Sequence, residues 1–93
     1  MKTGIERIAE ERARQIEKEG FDSENDKNYL SGQLIDAAIA YAMICHDRAE
    51  DEASGVWPWD IDWFKPGSAI RNLEKAGALI SAEIDRRILA GEQ

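Results

Sequence analysis

The 93-residue sequence contains only one cysteine, Cys45, and one histidine, His46. A single cysteine cannot form an internal disulfide, and there is no paired-cysteine zinc motif and no histidine pair at helical spacing. The two side chains are adjacent on a predicted helix and point about 100° apart, so they are poorly placed as a nucleophile and its base. A glycine-rich phosphate loop is also lacking. Without an enzymatic signature, we favour a non-catalytic protein.

Basic residues and long apolar runs are also scarce. Lysine and arginine total 12 against 19 aspartates and glutamates, which gives a net charge of -7. This balance opposes binding to DNA or to anionic lipid. No apolar run approaches the roughly 20 residues of a membrane span, and the first residues lead into a charged helical pattern rather than a signal peptide. We therefore expect a cytoplasmic protein with a single domain over residues 1–93.

Apolar periodicity predicts an all-α fold. It indicates a compact bundle of three main helices, at about residues 3–19, 29–52 and 68–89, with a connector rich in tryptophan and proline packed on it. A domain of this size has a thin margin of stability, so we expect oligomerisation to complete the bundle.

The first helix carries an apolar stripe predicted to face the core, made of Ile5, Ile8, Ala9, Ala13 and Ile16. Arg12, Gln15 and Glu19 fall on the same side, and Arg14 falls on the opposite, solvated side. Two interpretations remain open for the three polar residues. They lie at the edge of the stripe and reach water, or they project into a polar pocket where each charge is paired or ligand-bound.

The second helix is apolar on both sides. One face carries Leu34, Ala37, Ala38, Tyr41 and Cys45, and the other carries Ile35, Ile39, Ala40 and Met43. Three helices offer too few neighbours to cover both faces, which predicts a homo-oligomer packed through this helix. Asp36 lies on the second face, where we expect a salt bridge to Arg12 or Arg14, with a metal or catalytic role as the alternative.

The third helix begins after Ser68, its predicted N-cap. Its predicted core stripe is Ile70, Leu73, Gly77, Ile80, Ile84 and Ile88. A second line forms a basic ridge of Arg71, Lys75, Ala78, Ala82 and Arg86. Like charges four residues apart repel, so this ridge predicts a negative neighbour. That neighbour is either an anionic ligand or the glutamates of the first helix, namely Glu6, Glu10 and Glu17.

The segment Trp57–Pro66 holds all three tryptophans and both prolines. It leads into the third helix, where backbone N–H groups, the Ser68 hydroxyl and the cations of Lys65 and Arg71 converge within one turn. This arrangement predicts an anion site beside aromatic rings that can stack on a planar group. The alternative is ordinary N-capping, with Lys65 over a tryptophan ring. The predicted ligand-binding residues are Arg12, Lys65, Ser68, Arg71, Lys75, Trp57, Trp59 and Trp63.

Several runs of the sequence together resemble the pattern of one family. They are Glu11-Arg12-Ala13-Arg14-Gln15 with Glu19-Gly20, Trp57-Pro58-Trp59, Lys65-Pro66, and the helix from Arg71 to Ile80 that continues to Ala82-Glu83-Ile84-Asp85-Arg86. Over nearly its whole length the chain resembles a family of small uncharacterised all-helical proteins of phages and prophages. The resemblance implies a phage-associated context and no particular activity.

Three functions follow as hypotheses. The first is a small non-catalytic binding protein that captures an anionic, nucleotide-like molecule at a subunit junction without a cofactor. The second is an all-helical nucleotide pyrophosphohydrolase that holds Mg²⁺, with Asp36, Glu50, Glu83 and Asp85 as the available carboxylates. The third is a protein-interaction module that uses the tryptophan-rich loop as its anchor.

Overall fold

A computed structural model of the chain describes residues 1–19, 32–45 and 50–92, and every element in these ranges is helical. The helices are α1 (Gly4–Arg14), α2 (Gln33–Cys45), α3 (Glu50–Val56) and α4 (Ala69–Leu89). A π-helical turn, Gln15–Glu19, extends α1, and a 3-10 turn, Ile61–Trp63, lies in the connector. The all-α prediction is confirmed.

The predicted boundaries agree with these elements in part. The first and third predicted helices correspond to α1 with its π-helical turn and to α4. The second corresponds to α2 and α3, and α3 ends at Val56, four residues beyond the predicted end. The start of that predicted helix at residues 29–31, its middle at 46–49 and the predicted stop at Gly20 lie outside the described residues.

Helix α1 begins with a capping box at Thr3. The Thr3 hydroxyl accepts a hydrogen bond from the Glu6 backbone N–H at 3.2 Å, and the Glu6 carboxylate accepts one from the Thr3 N–H at 2.9 Å. This exchange satisfies backbone groups that a helix start would otherwise leave unpaired. An ion pair between Arg7 and Glu74, 3.1 Å apart, then joins α1 to α4.

Helix α2 packs against α4 through small side chains. Its buried residues are Leu34, Ala37, Ala38, Ala40 and Tyr41, and α4 contributes Ala76, Leu79 and Ala82 to the same core. Short alanine side chains let two helix backbones approach closely. Six of the ten buried apolar residues in the described core are alanines, and Leu34 and Leu79 are its largest fully buried aliphatic side chains.

The predicted core stripe of α4 is wrong. Its five aliphatic residues, Ile70, Leu73, Ile80, Ile84 and Ile88, are 46–62% exposed. The buried face holds Asn72, Ala76, Leu79 and Glu83, and it lies about 120° away around the helix axis. The physical reason is that α2 presents alanines, which pack closely against small residues, while Asn72 and Glu83 enter the interior with their polar groups paired.

The predicted stripe of α1 is wrong in most of its residues, and the exception is Ile8, which is half-buried and lies against Gly77 of α4. Ile5 is 82% exposed, and Ala9, Ala13 and Ile16 are also exposed. Glu11, Arg12 and Gln15 are buried instead. Of the two interpretations of Arg12 and Gln15, projection into the interior is therefore the observed one, while the Glu19 side chain lies outside the described residues. Polar side chains are tolerated there because most of their charge is paired.

Candidate functional site

A pocket of about 520 Å³ opens between α1, α2, α4 and the connector. Its wall is aromatic and cationic. The aromatic residues are Tyr41, Trp57, Trp59 and Trp63, and the cationic ones are Arg14, Lys65, Arg71 and Lys75. The remaining lining residues are Glu11, Gln15, Asp60 and Leu79. Four cations against two carboxylates give the pocket a local charge of +2 within a chain of -7.

A cluster of aromatic rings holds the tryptophan side of the pocket in place. The Trp57 ring centroid lies 5.5 Å from Tyr41, 5.3 Å from Trp59 and 4.9 Å from Phe64. The first two contacts are edge-to-face, a favourable arrangement of ring quadrupoles. Trp57 and Trp59 are half-buried in this cluster, and Phe64 is buried beneath it. The connector is thus packed on the bundle as predicted.

Asp60 shapes the pocket rim. Its carboxylate accepts a hydrogen bond from the Asp62 N–H at 2.9 Å and so caps the 3-10 turn that carries Trp63. Its backbone carbonyl accepts a hydrogen bond from Trp57 Nε1 at 3.0 Å. Trp63 is 63% exposed at this rim, where its ring surface is available to a ligand.

Glu11 is the electrostatic centre of the pocket floor. Its side chain is 1% exposed, and its oxygens accept hydrogen bonds from Arg14 at 2.8 and 2.9 Å and from Gln15 Nε2 at 3.1 Å. Arg71 adds an ion pair at 2.6 Å. Burial raises the pKa of the Glu11 carboxyl, but the hydrogen bonds from Arg14 and Arg71 outweigh burial, so the pKa lies below its ordinary value.

Lys75 is positioned by the connector. Its Nζ donates a hydrogen bond to the Lys65 carbonyl at 2.6 Å and lies 5.3 Å from the centre of the Tyr41 ring. The Lys65 N–H in turn donates to the Tyr41 hydroxyl at 3.2 Å. These contacts hold one ammonium group beside the aromatic wall, where it can meet an anion. In the part of the chain that the structure describes, Lys75 lies over the Tyr41 ring, whereas the sequence pointed to Lys65 over a tryptophan.

Six of the eight predicted ligand-binding residues line this single pocket. The two others are engaged elsewhere. Arg12 approaches Asp85 at 3.5 Å. The Ser68 hydroxyl accepts a hydrogen bond from the Arg71 N–H at 3.2 Å, which is the predicted N-cap. The Gly67 N–H, expected in the anion cradle, donates to the Asn72 side-chain oxygen at 2.7 Å. The lysine and arginine side chains therefore remain as the anion-binding groups.

The basic ridge faces the interior. Ala78 and Ala82 are fully buried, and Arg71 and Lys75 line the pocket. The three glutamates predicted as counter-charges of the ridge are wrong, although α1 does supply one through Glu11: Arg71 pairs with Glu11 and Glu74, and Arg86 pairs with Glu83. The predicted partners are engaged elsewhere or exposed: Glu10 pairs with Lys2, Glu6 caps α1, and Glu17 is exposed on the π-helical turn.

The carboxylates considered for a metal do not come together. Asp36 is exposed on α2, so its predicted burial is wrong, and the predicted salt bridge is replaced by Arg12 with Asp85 and Arg14 with Glu11. Both Glu83 oxygens accept hydrogen bonds from Arg86 and Arg87. The Glu50 side chain lies outside the described residues. Within the part of the chain that the structure describes, no three metal-ligating side chains form a group.

Six of the twelve lining residues are not among the predicted ligand-binding residues, and three of these six hold the ion pairs and the aromatic wall of the pocket. Arg14 was predicted to be solvated, and Glu11 and Tyr41 were not singled out as site residues. One signal for the first two was their spacing of three residues, which brings a carboxylate and a guanidinium together on one helix face. Tyr41 carries no comparable signal, because its contact with Lys65 depends on how the connector folds back over α2.

The chain matches no protein-family model, no curated protein and no solved structure. Among the described helices, none combines the length and the apolar composition needed to cross a bilayer.

Proposed function

We propose that this chain is a small non-catalytic binding protein that captures a planar anion of nucleotide-like chemistry in the pocket. The observation that carries the proposal is the convergence of Lys65, Arg71 and Lys75 with the three tryptophans on one cavity. Cations bind the charged end of such a molecule, and tryptophan rings bind its planar part. The phage context implied by the resemblance would suit sequestration of a host signalling nucleotide.

The dimensions of the pocket support a small-molecule ligand. Ligand sites are concave, about 300–1,000 Å³ in volume, and mostly apolar with a few placed polar groups. The pocket has about 520 Å³, an aromatic wall and cations held by identified partners. The pocket of one chain already has the size of a ligand site, and the subunit junction expected from the sequence stays a prediction.

The positions of the groups suggest how the ligand lies. The Lys65 backbone carbonyl fixes the Lys75 ammonium, and the Lys65 side chain lines the same pocket, so the two lysines offer a phosphate or carboxylate two positive charges. Trp57 and Trp59 stand nearly perpendicular to each other, and Trp63 is exposed at the rim. A base would stack on one of these rings, which is worth about 1–3 kcal/mol per base.

A thermal-shift screen with pyrophosphate, AMP, ATP and cyclic di-AMP tests the proposal. A ligand at ten times its dissociation constant stabilises a protein by about 1.4 kcal/mol, which raises the melting temperature of a domain of this size by roughly 5–10 °C. We expect at least one nucleotide to exceed the shift given by pyrophosphate. If no anion at millimolar concentration shifts the melting temperature, the proposal is wrong.

Two lysine-to-methionine variants test whether the nucleotide binds in the pocket. Lys75→Met removes a pocket cation and keeps the length of the side chain, whereas Lys2→Met removes an exposed lysine that pairs with Glu10 outside the pocket. The nucleotide shift should be lost in Lys75→Met and kept in Lys2→Met. Equal losses in both variants would indicate a non-specific charge effect.

The same samples separate binding from catalysis. A binding protein returns its nucleotide intact, whereas a Mg²⁺-dependent pyrophosphohydrolase releases phosphate or pyrophosphate from a nucleoside triphosphate. Product release that depends on Mg²⁺ and disappears in Glu83→Ala would favour the enzyme, provided that the variant remains folded by circular dichroism.

The exposure of the rim favours a second candidate, a protein-interaction module. Trp63 and Ile61 are more than half exposed on the same 3-10 turn, and large apolar side chains of this kind often anchor interfaces. Trp63→Ala distinguishes the two functions. Loss of a host-protein complex with an unchanged nucleotide shift supports the interaction module, and loss of the nucleotide shift supports ligand capture.

A further inference from the structure

We infer that the exposed aliphatic face of α4 is a self-association surface whose occupant is a second copy of the same helix. The face is made of Ile70, Leu73, Gly77, Ile80, Ile84 and Ile88, and we call it the α4 stripe. Its five aliphatic side chains are all about half exposed. This inference is independent of the proposed ligand, because the pocket lies on another side of α4.

The α4 stripe is bordered by α1 along one edge. Arg7 pairs with Glu74 and Arg12 with Asp85, so two ion pairs hold α1 beside α4. The Ile8 side chain lies so close to Gly77 that an added Cβ would be 2.6 Å from its Cδ1 atom. Ile5, three residues before Ile8, is even more exposed than the stripe. The two helices therefore present one apolar face.

The spacing of the α4 stripe fits another helix. Steps of three, four, three and four residues from position 70 to 84 are the pattern by which helices pack side by side. Among the described helices, α4 carries this pattern in large aliphatic residues over its full length, whereas the buried side of α2 carries mainly alanine. A second copy of α4 supplies the matching helix.

The size of the face agrees with this occupant. Eighteen residue steps along α4 span about 27 Å, and α1, which has 11 residues, spans about 16 Å. At about 10 Å for the width of each helix, the face has roughly 430 Å² in projection. Accessible area exceeds projected area because side chains make the surface uneven. A face of this size corresponds to a small interface, in which each partner buries less than the roughly 800 Å² of a standard one.

A two-fold axis near residue 79 pairs the stripe with itself. In an antiparallel arrangement, Ile70 lies opposite Ile88 of the second copy, Leu73 opposite Ile84, and the two Ile80 side chains lie near the axis. Each copy thus offers the same surface to the other, as closed dimers require. The net charge of -7 argues against an anionic membrane as the occupant.

Light scattering after size-exclusion chromatography tests the inference at about 100 µM protein, where mass action favours a dimer. The expected mass is about 21 kDa, twice the 10.5 kDa of one chain. Ile84→Glu should return the protein to the mass of one chain. Ile39→Glu is the matched control, because Ile39 is a half-exposed isoleucine on α2, the helix that the sequence pointed to for assembly. This control should remain dimeric.

A cysteine variant tests the same surface if Ile84→Glu fails to fold. In a Cys45→Ser background, oxidised Ile80→Cys should form a disulfide-linked dimer, and Ile39→Cys should not. A wild-type chain that is monomeric at this concentration overturns the inference. So does a dimer that Ile39→Glu dissociates and Ile84→Glu does not.

Discussion

On α4, the face turned toward α2 and the pocket buries Asn72 and Glu83, whereas the α4 stripe leaves five aliphatic side chains about half exposed. The contrast is the reverse of a simple amphipathic helix, in which isoleucine and leucine face the interior. The buried polar groups are satisfied: Asn72 exchanges hydrogen bonds with the Gly67 backbone, and Glu83 binds two arginines.

The contrast shows that ion pairs and hydrogen bonds, as well as hydrophobicity, can decide which side chains are buried. A buried charge costs much less when it has a counter-charge and hydrogen bonds than when it lacks them. Three side chains, those of Arg14, Gln15 and Arg71, surround the Glu11 carboxylate. These contacts hold the two guanidinium groups at the wall of the aromatic pocket. The polar interior therefore builds the candidate binding site, and the aliphatic residues that it displaces form the candidate assembly surface.

The largest loss of stability is expected when a buried leucine of α4, rather than an exposed one, is shortened. Leu79→Ala removes a side chain that is almost fully buried, and we expect it to lower the free energy of unfolding by about 3 kcal/mol. Leu89→Ala is the control, because Leu89 is half exposed and lies outside the α4 stripe, and it should cost about 0.5 kcal/mol or less. Urea unfolding measures both, and equal losses would contradict the assigned faces.

Glu11→Gln should be nearly as severe. It removes the buried counter-charge of Arg14 and Arg71, and we expect a loss of about 2–3 kcal/mol. The loss stays at the lower end for a broken buried pair because both arginines retain partial access to water. Glu10→Gln, which affects an exposed pair with Lys2, should cost about 0.5 kcal/mol or less. A Glu11→Gln chain as stable as the wild type would remove Glu11 from the centre of the site.

The same carboxyl predicts how stability depends on pH. The pKa values of Glu11, Glu74 and Glu83 lie below their ordinary value in the folded chain because arginines donate hydrogen bonds to each, although burial opposes this effect. A lowered pKa stabilises the folded state above the unfolded pKa of about 4.3, and this contribution is lost as the pH falls through the folded value. Stability should decline below about pH 4, and less steeply in Glu11→Gln. An increase in stability on acidification would contradict this sign.

A smaller change in stability tests the contact between Gly77, at the edge of the α4 stripe, and Ile8 of α1. Gly77→Ala would place a Cβ 2.6 Å from Ile8 Cδ1 and 2.8 Å from Cγ1. The crowding should outweigh the helix propensity of alanine, with a net loss of about 1 kcal/mol. In an Ile8→Ala background the same substitution should be stabilising by up to about 1 kcal/mol. If Gly77→Ala has the same effect in both backgrounds, Ile8 does not pack on Gly77.

Local signals predicted the helices well. The start of α1 after Thr3, the N-cap at Ser68 and the all-α class depend on residues close together in the sequence, so they can be read from it. The convergence of Lys65, Arg71 and Lys75 was also accessible, because a short connector and one helix bring them together.

Periodicity could not predict which face of α1 and of α4 is buried. Each helix has an aliphatic side and a polar side, and the choice between them depends on partners distant in the sequence. Glu11 is buried because Arg71, sixty residues away, reaches it. The alanines of α2 let α4 approach closely, which leaves little room for isoleucine between the two helices. This effect depends on how two helices pack, so the sequence of one helix does not show it.

The cations and tryptophans of the pocket are proposed to form one binding site for a planar anion. A tryptophan-fluorescence titration with ATP and with tripolyphosphate tests this proposal most directly. We expect saturable quenching by ATP, binding at least about tenfold weaker in Lys75→Met, and unchanged binding in Lys2→Met. Tripolyphosphate should bind more weakly than ATP because it lacks a ring to stack. Quenching that does not saturate, or that is identical in Lys75→Met and the wild type, would contradict the account.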